Sequence, residues 1–81
     1  MHVTVRFFAR LRDIVGQAEL DRSTVQGATV ADVWQGLAAE YPELAPLGAA
    51  VSSAVNADYA KMTRRLQDGD EIAFLPPVSG G

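Results

Sequence analysis

The sequence predicts an α+β fold, a mixed sheet of four or five strands packed on one main helix. Residues 2–8 and 70–75 alternate apolar and polar side chains with the period of two that a half-buried strand requires. Residues 30–41 instead repeat apolar side chains at the spacing of one helix face. The order strand, strand, helix, strand, short strand, strand then gives a two-layer architecture. Because the helix separates the second strand from the later ones, the first and last strands are expected to be central and parallel.

Each element has its own signal. In the first strand Val3, Val5 and Phe7 share one face, and Thr4, Arg6 and Phe8 share the other. Residues 9–15 read as a short helical turn closed by Gly16, the residue type that most readily adopts the left-handed conformation at a helix end. Residues 18–25 form a less apolar strand expected at the sheet edge, followed by a turn at Gln26-Gly27-Ala28. Thr29 with Asp32 three residues later resembles a capping box. Val30, Val33, Trp34, Leu37, Ala38 and Tyr41 then line one side of a helix that should stop before Pro42, with Trp34 in the core. Residues 43–50 are a connection with at most one short helical turn. Residues 53–55 are the third strand, Asn56-Ala57-Asp58 a turn, and residues 59–61 a short fourth strand. Asp68-Gly69 is a tight turn leading into the last strand. Pro76 and Pro77 end that strand because neither can donate to a ladder.

The domain is therefore expected to cover residues 1–77, with residues 78–81 as a flexible tail. Val78, Ser79, Gly80 and Gly81 could reach roughly 13 Å from the body when stretched. Glycine has no Cβ, so Gly80-Gly81 is thin enough to enter a narrow site on another protein and present the Gly81 carboxyl there as an acyl group. A frayed chain end is the plainer alternative.

Composition narrows the function. With 81 residues, 48% of them apolar, the chain makes one small domain with no room for a second core. It contains no cysteine, so disulfides and thiolate metal sites are excluded, and a cytoplasmic protein is expected. No apolar run approaches a membrane span, and the opening Met1-His2-Val3-Thr4-Val5-Arg6 does not read as a secretory leader. The net charge is −3 and the seven Lys and Arg cluster only at Arg64-Arg65, which argues for a protein partner and against nucleic acid. His2 has no second imidazole or thiol to share a metal. Asp68, Asp70 and Glu71 lack the ligand spacing of a calcium loop and read as a solvated turn, whose acids could meet arginines of a partner. No phosphate loop, Ser-His-acid set or pair of catalytic carboxylates can be assembled.

Alternation makes one further demand. If Val3, Val5, Phe7, Ile72 and Phe74 point inward, then Phe8, Ala73 and Leu75 point outward, where apolar groups commonly mark a protein interface. In the competing arrangement Phe8 folds under the following turn and the prolines cover Leu75.

Three segments resemble one known family. The opening Val5-Arg6-Phe7-Phe8-Ala9-Arg10-Leu11-Arg12-Asp13-Ile14-Val15-Gly16, the middle Ala54-Val55-Asn56, and residues 68–81, with Phe74-Leu75-Pro76-Pro77-Val78-Ser79-Gly80-Gly81, look like MoaD, the small subunit of molybdopterin synthase. The resemblance spans essentially the whole chain. It implies a ubiquitin-like β-grasp fold and a non-catalytic carrier of sulfur. In that family a MoeB-like enzyme uses ATP to adenylate the terminal glycine, here Gly81, which then becomes a thiocarboxylate. The tail enters a MoaE-like large subunit and gives its sulfur to cyclic pyranopterin monophosphate, building the molybdopterin dithiolene. Gly80 would supply clearance, and Phe8, Arg12, Tyr59, Leu75, Pro76, Pro77, Val78 and Ser79 would meet the partners; Leu75 stands where the family usually has an aromatic residue. No cofactor or metal would be held by the chain itself. Carriers of the same fold serve thiamine, cysteine or tRNA thiolation, and others are protein modifiers or interaction modules; these remain the alternatives.

Overall fold

The computed structural model describes residues 1–77. Five strands form one mixed sheet: β1 (His2–Phe7), β2 (Glu19–Ser23), β3 (Ser52–Val55), β4 (Asp58–Ala60) and β5 (Glu71–Leu75). Their order across the sheet is β2-β1-β5-β3-β4. β1 and β5 are adjacent and parallel, as expected, and every other pairing is antiparallel. The helix α2 (Val30–Glu40) covers one face, and the shorter α1 (Ala9–Val15) follows β1. This is the β-grasp arrangement.

Local chemistry sets the helix ends. Thr29 accepts from the Asp32 backbone N–H while the Asp32 carboxylate accepts from the Thr29 N–H, a reciprocal capping box that satisfies two donors with no intrahelical partner. α1 ends at Gly16, whose φ of 83° places it in the left-handed region. α2 ends at Glu40, and Pro42 opens a 3₁₀ helix over Pro42–Leu47, longer than the single turn expected of this connection.

The core lies between the sheet and α2. Val3, Val5 and Phe7 from β1 meet Ile72 and Phe74 from β5, and Val30, Val33, Trp34 and Leu37 close over them. The Trp34 and Phe74 ring centroids are 5.0 Å apart with planes tilted by 60°, a geometry aromatic pairs favour. Leu11 and Leu44 seal the ends and are fully buried.

Four expectations change in detail. β1 stops at Phe7, because Phe8 already serves as the N-cap of α1 in an extended conformation. β2 covers residues 19–23, shorter than the expected 18–25. The β3–β4 turn holds only Asn56 and Ala57, so β4 starts one residue earlier, at Asp58. Asp70 is buried, not solvated: its carboxylate accepts from the Asn56 side-chain amide at 2.9 Å and from the Gln67 backbone N–H at 2.8 Å. The three acids read together as one wet turn thus divide into exposed Asp68 and Glu71 and a structural Asp70.

Candidate functional site: the open face of the sheet

The face opposite α2 is built by register. Arg6 of β1 pairs with Ala73 of β5, Ala73 with Ala54 of β3, and Ala54 with Tyr59 of β4. One row of side chains therefore crosses four strands. In the next row Leu75 pairs with Ser52, and extending the β1–β5 register by one residue sets Phe8 beside Leu75. Two small alanines at the centre flanked by larger side chains make a shallow surface with aromatic edges.

Exposure follows this geometry. Tyr59 is 86% exposed and Phe8 40%, and both are large hydrophobics left uncovered by the fold. Leu75 and Pro76 are half-buried, while Pro77 and Arg12 are exposed. Phe8 thus points outward, and Leu75 beside it is only partly wet. Phe8 caps α1 and Arg12 comes one helical turn later, which brings both to one end of the site. β5 ends beside Phe8, since β1 and β5 run parallel and finish together. The chain consequently leaves the sheet next to the Phe8 end.

Arg6 is a member of this face that the candidate residues did not include. Its guanidinium carbon lies 5.9 Å from the Phe8 ring centroid. It also faces Glu71 at 3.7 Å and Glu19 at 4.0 Å. The signal was available, because alternation puts Arg6 on the same side as Phe8. Val25, 74% exposed, is a further uncovered apolar residue that no pattern marked.

The site offers contact area in place of reactive groups: aromatic edges, one cation held between two carboxylates, and a proline exit. Among the described residues no cluster of three or more His, Cys, Asp or Glu could hold a metal ion. Among them, too, no helix is long and apolar enough to cross a membrane. Val78, Ser79, Gly80 and Gly81 lie outside the described residues.

The description "ThiS family" fits residues 5–81. The chain belongs to the ThiS family. Among its relatives is the molybdopterin synthase sulfur carrier subunit of Escherichia coli, 36% identical over 81 residues, covering 98% of this chain and 99% of the relative. Small archaeal modifier protein 3 of Haloferax volcanii is also 36% identical, over 92 residues and the full length of both chains. The solved structure of the Haloferax volcanii HVO 2177 protein superposes with a TM-score of 0.91 at 35% identity, covering 100% of this chain and 87% of that one. A complex of subunits 1 and 2 of molybdopterin-converting factor from Helicobacter pylori contains a chain matched over the full length of both at 26% identity and a TM-score of 0.68. The MoaD resemblance and the β-grasp fold thus agree with both kinds of relative.

Proposed function

We propose that this ThiS-family chain is the sulfur carrier subunit of a molybdopterin synthase. The single observation that carries this reading is end-to-end similarity to the Escherichia coli subunit of that name. An adenylating enzyme would use ATP to convert the Gly81 carboxylate to an acyl-adenylate, releasing pyrophosphate. A sulfur nucleophile would then attack the acyl carbon and expel AMP, splitting one difficult substitution into two easier ones. The resulting thiocarboxylate would deliver its sulfur to cyclic pyranopterin monophosphate within the synthase large subunit. The chain itself contributes binding and carriage, with no catalytic group of its own.

The open face supports the docking half of this reading. Phe8 and Tyr59 have the size and exposure of interface anchors, and the strand leading to Pro76 and Pro77 leaves the sheet at the Phe8 end. A partner seated on this face would lie beside the point where the tail departs. Arg12 stands at that same end and would add a cationic contact.

Intact-mass measurement after incubation with ATP, an adenylating enzyme and a sulfur source tests the proposal. A gain of about 16 Da, one oxygen exchanged for sulfur at the acyl carbon, is expected. Equal similarity to the archaeal modifier protein favours a second reading, conjugation of Gly81 to a lysine of another protein. Adenylation would then yield protein adducts with no thiocarboxylate intermediate delivered to a pterin.

A further inference from the structure

The sheet has an open edge that the proposed carrier function does not use. β2 lies at the end of the sheet order, paired on one side only, with β1. Met1 and Thr24 exchange both backbone bonds, at 2.7 and 2.9 Å, and Phe7 donates to the Ala18 carbonyl at 2.9 Å. In an antiparallel ladder such pairs recur every second residue, so Arg22 and Leu20 also direct their backbone groups at β1. The N–H and C=O groups of Glu19, Asp21 and Ser23 therefore point away from the sheet. No partner for them occurs among the described residues.

A cavity of about 310 Å³ lies along this edge, between β2 and α2. β2 contributes Asp21, Arg22 and Ser23, and α2 contributes Asp32, Val33 and Gly36. Gly36 keeps it open: a Cβ built there would meet nothing nearer than the Arg22 guanidinium, at 3.9 Å. A strand laid on β2 would run into this space with alternate side chains over Val33 and Gly36.

Charge selects the strand. Arg22 is taken up by Glu40 at 2.7 Å, which leaves it little attraction for anions. Asp21, whose side chain lies on the Thr4 face of β2, has only a 3.4 Å contact with the Thr4 hydroxyl and would face the alternate side chains of an added strand that turn away from the groove, while the Asp32 carboxylate, on the α2 side, accepts only from the Thr29 backbone N–H. Neither acid meets a cation within ion-pair distance among the described residues. A second copy of this chain fits poorly, because antiparallel pairing centred on Asp21 would set that carboxylate against its own image. We infer that the β2–α2 groove is a docking site for an extended peptide segment carrying lysine or arginine at alternate positions, bound by strand addition.

The test uses the full chain, ¹⁵N-labelled, titrated with the capped peptide Ser-Lys-Val-Lys-Val-Lys-Ser. Amide signals of Glu19, Asp21, Ser23 and Gly36 should shift, and hydrogen exchange at the three strand amides should slow. The peptide with glutamate in place of lysine should bind at least about tenfold more weakly, since like charges oppose across a strand pair. Gly36→Leu should fill the groove and weaken the lysine peptide by a similar factor, while the higher helix propensity of leucine preserves α2. Asp21→Lys should reverse the preference between the two peptides. Equal affinity for both peptides, shifts confined to the Phe8 and Tyr59 face, or lysine-peptide binding indifferent to Gly36→Leu would each overturn the inference. So would concentration-dependent self-association through the same three amides, which would make the occupant a second copy.

Discussion

The Asn56 side-chain amide donates to the Asp70 carboxylate at 2.9 Å, joining the β3–β4 turn to the residue that precedes β5. Around this bond, the Glu71 N–H donates to Asn56 Oδ1 at 3.0 Å and the Asn56 N–H to the Glu71 carbonyl at 2.8 Å. Asp70 also accepts from the Gln67 N–H, so one buried carboxylate fixes a turn and a hairpin together. Asp70→Ala leaves two donors without their acceptor in a nearly closed site. The expected loss is about 2–3 kcal/mol, read from urea denaturation midpoints. Asn56→Ala should cost a comparable amount, and the double variant less than the sum, because both remove the same bond.

The same hairpin contains a position open to improvement. Asn56 and Ala57 have φ of 51° and 71°, the positive pair that a two-residue hairpin loop demands. Asparagine tolerates this region and alanine does not. Ala57→Gly is expected to raise stability by about 0.5–1 kcal/mol, visible as a higher melting temperature. No gain would mean that the added freedom of the unfolded chain offsets the relieved strain.

Gly48 is held to its size by the core. A Cβ built there would lie 2.8 Å from Trp34 Nε1, and Trp34 is pinned in turn against Phe74. Gly48→Ala should therefore destabilise by about 1–3 kcal/mol through overpacking. Near-ultraviolet circular dichroism should change with it, since the tryptophan must shift.

On the open face the pattern reverses. Phe8→Ala and Tyr59→Ala should leave the melting temperature nearly unchanged while weakening binding to the large subunit proposed as the partner by about 1–2 kcal/mol each. Phe74→Ala, in the core, should instead cost roughly 3–5 kcal/mol of stability. A melting curve beside a binding isotherm for each variant separates the two behaviours.

For the tail, deletion of Gly81 should abolish thiocarboxylate formation with no change in folding. Gly80→Ala should slow transfer more than its single methyl would suggest, because the partner's channel would be fitted to bare backbone. Wild-type sulfur transfer after deletion of Gly81 would remove the carrier reading, and wild-type transfer by Gly80→Ala would remove the argument that the tail must be thin.

Much of this molecule was legible because its periodicities are clean. The alternation of Val3, Val5 and Phe7 and the Thr29–Asp32 cap identify β1 and α2 from sequence alone, and the parallel centre follows from element order. Segment ends were less legible. The β3–β4 turn came out one residue too long because Asn56-Ala57 closes it without Asp58, and no local pattern distinguishes two positive-φ residues from a three-residue turn. Burial of Asp70 was hidden for a different reason: its partner Asn56 is fourteen residues away, and only the meeting of β3 with β5 brings them together. Of the site, Phe8 was visible as an apolar residue on the outer face and Tyr59 through the family resemblance alone; Arg6 shares the side of Phe8 by the same alternation, and the structure adds its contacts with Glu19 and Glu71.

The position of β5 governs how the chain must fold. β1 with β2, connected through α1, and β3 with β4, connected by a two-residue turn, are antiparallel pairs of strands close in sequence, but the two pairs are joined in the sheet only through β5. A tight hairpin forms within about 1–10 μs, so the slow event is insertion of the last strand between the pairs, at the cost of closing a loop of more than sixty residues to β1. Until β5 arrives, Phe7 lacks Phe74 and Val55 lacks Ile72, and both pairs carry exposed inner edges. A ribosome-bound chain lacking β5 would therefore hold two unlinked halves, and the cooperative native state would appear only once that strand is free to enter.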